Sequence, residues 1–153
     1  MLIATADAVD ALQFERLVRQ AIDAKGEPEE CRRLCRDALG LWRGVPFGDL
    51  GDEFPFRLEA IRLGEIRHAT MELSFEAEIA LGHHDLVVGA IEAAVEEYPF
   101  RERLWYLLIE ALEHQERRRE ALRACHDFRK TLADAGLGPG RHLVELEERL
   151  LAG

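Results

Sequence analysis

The sequence predicts an all-α protein: about seven helices in stacked antiparallel hairpins that wind into a right-handed superhelix. Three observations carry this expectation. Apolar residues recur at three- and four-residue spacing in successive segments that Gly and Pro separate. No segment alternates long enough to compete as a strand, with Leu2 and Ile3 at most a stub. A set of side chains also recurs from hairpin to hairpin. Starting from the turn positions Gly26, Gly82 and Glu116, five residues on come Cys31, Val87 and Ala121, then Cys35, Ile91 and Cys125, then Ala38, Ala94 and Phe128. The second interval is 34 residues, the tetratricopeptide period, and the first is 56 because a longer helix and an irregular connection intervene. A lone helical hairpin cannot bury its apolar face, whereas stacked hairpins share a core.

Each element follows from local signals. Asp10 can cap a first helix over about Ala11–Ala24, with Phe14, Leu17, Val18, Ala21 and Ile22 on one face and Gly26 as its left-handed stop. Pro28 suits the first turn of a second helix that carries Cys31, Leu34, Cys35, Ala38 and Leu39 and ends near Leu41. Trp42–Phe56 is rich in Gly and Pro and reads as an irregular connection. A long third helix is expected from about Pro55 to Leu81, with Leu58, Ile61, Ile66, Ala69, Leu73, Ala77, Ala80 and Leu81 as its apolar positions. Further helices are predicted at His84–Tyr98, Arg101–His114, Arg117–Ala135 and Arg141–Leu151. Trp42, Trp105, Leu108, Ala121, Cys125 and Phe128 are the expected structural anchors, holding the hairpins shut and seating one on the next.

Composition narrows function. With 153 residues, 48% hydrophobic and 33% charged, the chain fits a globular domain and not a disordered one. No apolar run approaches a membrane span, and the N-terminus has no basic and long apolar stretch of the signal-peptide kind, so the cytoplasm is the expected location. Three cysteines without a C-x-x-C pair read as small core residues. The formal charge of −10 repels phosphate backbones, so the chain is expected to reach DNA only through another domain or chain.

No catalytic, metal or cofactor site emerges. No two of the six histidines lie three or four residues apart, and the single E-x-x-H (Glu65, His68) is one of the two that a di-iron bundle needs. The carboxylate pairs Glu72/Glu76 and Glu92/Glu96 read as solvated helix faces. Gly136, Gly138 and Gly140 follow no strand and lead into no Lys-Ser/Thr pair. The chain is therefore expected not to be an enzyme and to need no cofactor. Candidate partner contacts are Tyr106, Ile109 and Glu113, off the Trp105–Leu108–Leu112 stripe, and Arg117, Arg118 and Arg119, a local basic edge. The competing readings are that Tyr106 and Ile109 pack under the third helix, and that neighbouring glutamates neutralise the arginines on the surface.

Several blocks together resemble a known family. They are V-D-x-x-x-F-E-x-L-V over Val9 to Val18, L-W-R-G-x-P over Leu41 to Pro46, L-x-E-I-R over Leu63 to Arg67, Y-P-F-R-E-R-L-W over Tyr98 to Trp105, Glu120 to Leu122, and the Leu-Gly-Pro turn at Leu137 to Pro139. In these the chain is similar, over about residues 9–151, to the bacterial transcriptional activator domain of Streptomyces antibiotic regulatory proteins and related actinobacterial regulators. The resemblance implies a tetratricopeptide-like domain over 9–153 that follows a winged-helix DNA-binding domain, with residues 1–8 a tail that is a candidate remnant of it. It implies dimerisation, or contact with RNA polymerase subunits or a DNA-binding regulator. Glu116 stands where the family tends to have Gly, so that turn is expected to differ in shape. A general tetratricopeptide-like adaptor for a peptide or helix, unrelated to transcription, is the alternative.

Overall fold

The computed structural model describes residues 2–42 and 56–153, with side chains from residue 10 onward. Among these residues the chain is all helix, in the order α1 (Leu2–Asp23), α2 (Pro28–Gly40), α3 (Phe56–Ala80), α4 (His84–Glu97), α5 (Glu102–His114), α6 (Arg118–Asp134) and α7 (Arg141–Ala152). The fold is tetratricopeptide-like. The irregular connection expected after Trp42 falls at 43–55, outside the described residues. The chain forms two compact units, Met1–Leu81 and Gly82–Gly153.

In the first unit α2 packs against both α1 and α3. Pro28 sits in the first turn of α2 with Glu29 and Glu30, where a missing N–H costs nothing and the helix dipole favours anions. Two clusters make the core: Phe14, Val18, Ala38 and Leu63 form one, and Ala21, Cys31, Leu34, Cys35 and Ala77 the other. Trp42 packs on the first cluster, its ring edge-on to Phe14 at 5.4 Å, with the Arg67 guanidinium carbon 5.0 Å from its centroid.

Three expectations in this unit need correction. First, α1 begins at Leu2 and not near Ala11, so Asp10 lies inside the helix and Leu2-Ile3 is no strand stub. Second, Gly26 does not adopt the left-handed conformation. The helix instead ends through ordinary turn bonds, Lys25 N–H to Ile22 O at 3.2 Å and Glu27 N–H to Ala24 O at 2.8 Å. Third, the buried face of α3 is only partly the expected one: Ala77 is buried and Ile66 and Leu73 pack on the core as expected, but Leu63, Thr70, Glu72 and Ile79 are buried too, while Leu58 and Ile61 are 59% and 55% exposed. Apolar residues surround α3, so spacing alone selects no face, and its packing partners decide. The buried Thr70 hydroxyl is satisfied by donating to Ile66 O at 2.7 Å.

In the second unit α5 packs between α4 and α6, and α7 packs on α6. α5 buries Leu104, Trp105, Leu107, Leu108, Ile109, Ala111 and Leu112, nearly its whole circumference, as a helix flanked on two sides must. α6 offers Ala121, Ala124, Cys125 and Phe128, and α7 offers Leu143, Leu146 and Leu150, each a single stripe at helical spacing. All nine repeated positions, from Cys31 to Phe128, are buried on α2, α4 and α6.

The turn between α5 and α6, which contains Glu116, has the same shape as the turn that ends α6. That residue has φ 59°, in the left-handed region that Gly136 (φ 76°) occupies after α6. Both turns close with the same pair of bonds: Arg117 N–H to Leu112 O and Glu116 N–H to Glu113 O, both 2.9 Å, and Leu137 N–H to Leu132 O at 2.8 Å with Gly136 N–H to Ala133 O at 2.9 Å. Glu116 thus makes the turn that a glycine makes after α6. The two hydrogen bonds hold a non-glycine residue in a conformation that sterics disfavour.

Candidate protein-interaction surface

The second unit carries most of the candidate residues, and packing sorts them. Trp105 and Phe128 stack with centroids 5.2 Å apart, and the Trp105 indole N–H donates to Pro99 O at 2.8 Å. That bond fixes the ring between α5 and the turn that precedes it. Leu108, Ala121 and Cys125 are also buried, and burial pushes the Cys125 thiol up to about 11.

Of the six candidate contact residues, Ile109 is 0% exposed and belongs to the core, out of a partner's reach. The run Trp105–Ile109 is apolar all round, which is the signal of a helix covered on more than one side. Tyr106 is half-buried: its ring meets His142 at 4.4 Å and Phe128 at 6.0 Å, and its hydroxyl donates to Glu102 Oε1 at 3.0 Å. Burial, then the Glu102 carboxylate, raises its phenol above the ordinary tyrosine range. Glu113 accepts from Arg149 at 3.0 Å.

The three arginines have three different situations. Arg117 grips both carboxylate oxygens of Glu120 and donates to Gln115 Oε1 at 2.8 Å. That hydrogen bonding lowers the Glu120 carboxyl and raises the Arg117 guanidinium. Arg118 donates to the carbonyls of Leu150 and Leu151, the latter at 2.8 Å, and so caps the end of α7 with a cation where the helix dipole favours one. Arg119 is exposed and, among the described residues, has no ion-pair or hydrogen-bond partner.

Each unit carries a groove with apolar side chains in its lining. In the first unit a groove of about 490 Å³ has Val18, Ile22, Ile66 and Leu73 among its lining, with Glu15, Glu72 and Glu76 beside Arg19 and Lys25. In the second a groove of about 410 Å³ crosses α4, α5 and α6, with Trp105, Leu108 and Leu112 on its floor. Sequence reading missed the second groove, because its rim comes from helices that no local spacing relates. It likewise missed the parallel stacking of His84 on His114 at 4.8 Å, since 30 residues separate them. Among the described residues no cluster of three or more His, Cys, Asp or Glu side chains could hold a metal, and no helix is long and apolar enough to cross a membrane.

The model of the bacterial transcriptional activator domain family matches residues 9–151. The chain belongs to this family. The domain is 32% identical over 145 residues to the regulatory protein DnrI of Streptomyces peucetius, covering 93% of this chain and 53% of that protein. It is 38% identical over 132 residues to the transcriptional regulatory protein EmbR of Mycobacterium tuberculosis, covering 84% of this chain and 33% of the relative. The regulatory protein AfsR of Streptomyces coelicolor is 33% identical, with 94% of this chain matching 15% of its length. The structure of Mycobacterium tuberculosis EmbR in complex with a low affinity phosphopeptide superposes with TM-score 0.87 at 35% identity, covering 94% of this chain and 38% of that one. The domain thus spans about half or less of the length of these relatives, which are regulators of transcription or named as regulatory proteins.

Proposed function

We propose that this domain is the protein-contact module of a bacterial transcriptional regulator, pairing with a second copy or touching RNA polymerase or another DNA-binding regulator. It meets DNA only through another domain or chain, works by contact and not by catalysis, and acts in the cytoplasm, where promoters and polymerase are. Residues 1–8 lie, on this reading, where a winged-helix domain would lead into it. The observation that carries the proposal is similarity along nearly the whole chain to regulators whose remaining length lies outside the match. The charge of −10 supports it, since an acidic surface disfavours phosphate backbones. The EmbR complex with a phosphopeptide supports protein contact as a mode of action in a relative. Arg119, with the guanidinium edge it shares with Arg117 and Arg118, is the proposed contact for an acidic partner.

The test is an activator bypass. The domain is fused to an unrelated DNA-binding domain, with that domain's operator placed upstream of a reporter in an actinobacterial host. Reporter transcription is expected to rise, and Arg119→Glu is expected to reduce the rise. A silent fusion at matched expression would refute contact with the transcription machinery. A general adaptor is the second reading, supported by the apolar groove between α1 and α3. Recovery of chaperone or secretion components in place of polymerase or a regulator would favour it.

A further inference from the structure

The groove across α4, α5 and α6 has a chemistry that names its occupant. Its floor is apolar and rigid: Trp105 is fixed by stacking on Phe128 and by its bond to Pro99 O. Ala124, a small residue, keeps the space above the floor open. The rim is acidic, with Glu92 and Glu96 from α4 and Glu120 and Asp127 from α6 against a single cation, Arg123. Glu120 is already held by Arg117. The exposed side chains of Glu96 and Asp127 are in no hydrogen bond or ion pair, and Glu92 acts on Arg117 only through its field. On α6 the lining runs from Glu120 to Thr131, about three helical turns or ~16 Å. That length suits a short helix laid in a groove, whose apolar anchors repeat at the same spacing.

We propose that this groove docks a basic amphipathic helix of a partner protein, with apolar side chains over Trp105 and Ala124 and Lys or Arg side chains between the two carboxylate rows. The proposal rests on the reading of the domain as a protein-contact module, and it adds the surface and the partner's chemistry. Carboxylates on both walls attract the cations of the incoming helix, which steers encounter and fixes register, while contact with the small exposed part of the apolar floor adds an attraction that salt does not screen. Nucleic acid is disfavoured there by the same carboxylates.

The experiment uses the 153-residue chain and a fluorescein-labelled amphipathic leucine–lysine peptide, read by anisotropy at physiological ionic strength. Its leucine–glutamate twin is the counter-probe. Glu96→Lys with Asp127→Lys reverses the rim. Asp134→Lys with Glu148→Lys makes the same change of net charge at exposed sites away from the groove lining. Thr131→Trp fills the groove without altering charge. The rim pair and the filling variant are each expected to weaken binding about tenfold or more, and the remote pair by about twofold or less. Circular dichroism of each variant confirms that it is folded, as substitution at exposed or half-buried rim positions allows. Absence of binding to the unaltered chain, equal affinity for the glutamate twin, equal weakening by the remote pair, or no weakening by the rim pair would each overturn the groove. A fusion that still activates the reporter while its groove variants bind the peptide unchanged would discard the groove and keep the contact module. A silent fusion would discard contact with the transcription machinery, whatever the peptide does.

Discussion

Glu116→Gly is expected to make the domain more stable, although it removes a side chain. Glu116 holds φ 59° while making the two-bond turn that Gly136 makes at the end of α6. An L-residue in this region costs about 1–2 kcal/mol, because its Cβ crowds the following carbonyl. Glycine removes that cost but brings roughly 0.5–1 kcal/mol of extra unfolded-chain entropy. The Glu116 side chain is exposed and makes no hydrogen bond or ion pair among the described residues, so nothing else is lost. Its charge is also close to neutral in effect, unfavourable at the end of α5 and favourable at the start of α6. The net gain is about 0.5–1 kcal/mol, a Tm rise of roughly 1–4 °C for a chain of this size. Thermal and urea unfolding followed by circular dichroism measures it. Glu116→Ala is the control: it keeps the Cβ and is expected to leave stability within about 0.5 kcal/mol of the starting value. If glycine and alanine shift stability equally, or glycine lowers it, the turn is not strained as described.

Other perturbations follow from the same contacts. Trp105→Ala is expected to cost about 3–5 kcal/mol in urea unfolding, whereas Trp105→Phe keeps the stack, loses the bond to Pro99 O and costs about 1–2 kcal/mol. Arg118→Ala uncaps α7; because the guanidinium is exposed the cost is only about 0.5–1 kcal/mol, but amide hydrogen exchange should accelerate in α7 more than in α5. The thiols of Cys35 and Cys125 are pushed by burial up to about 12 and about 11, so the native chain should resist a thiol reagent at neutral pH and expose all three cysteines on unfolding. These folded-state values lie above those of the unfolded chain. Their stabilising contribution is therefore complete below about pH 8.5 and is lost as pH rises toward 11 and 12; stability measured by urea titration should fall over that alkaline window and not just below it.

The hairpin organisation was legible in the sequence because burial leaves a periodic trace. Cys31, Cys35 and Ala38 recur as Val87, Ile91 and Ala94 and as Ala121, Cys125 and Phe128, and the structure buries every one. Helix ends marked by Pro28, Gly82 and Pro99 also lie where the sequence places them, to within a residue or two. The face of α3 was not legible, since apolar residues surround it and only α1 and α2 determine that Leu63 goes inward while Leu58 and Ile61 stay out. Helical spacing leaves Ile109 open between a surface contact and packing under the third helix; it is buried, as the unbroken Leu107–Leu108–Ile109 run of a helix flanked on two sides signals. The individual fates of Arg117, Arg118 and Arg119 depend on Gln115, Glu120 and the end of α7, and Leu150 and Leu151 lie more than 30 residues away in sequence. The acidic-rimmed groove has no local signature either, because Glu96 and Asp127 line one groove only once α4 and α6 flank α5.

Protein contact, the proposed mode of action of this domain, is open to sedimentation velocity of the fluorescein-labelled chain, alone and mixed with purified actinobacterial RNA polymerase holoenzyme. A boundary faster than that of a 17.4 kDa monomer is expected, either from self-association alone or by co-sedimentation with the polymerase. A chain that sediments as a monomer in both samples, across concentrations up to tens of times the polymerase's, would refute both self-pairing and polymerase contact.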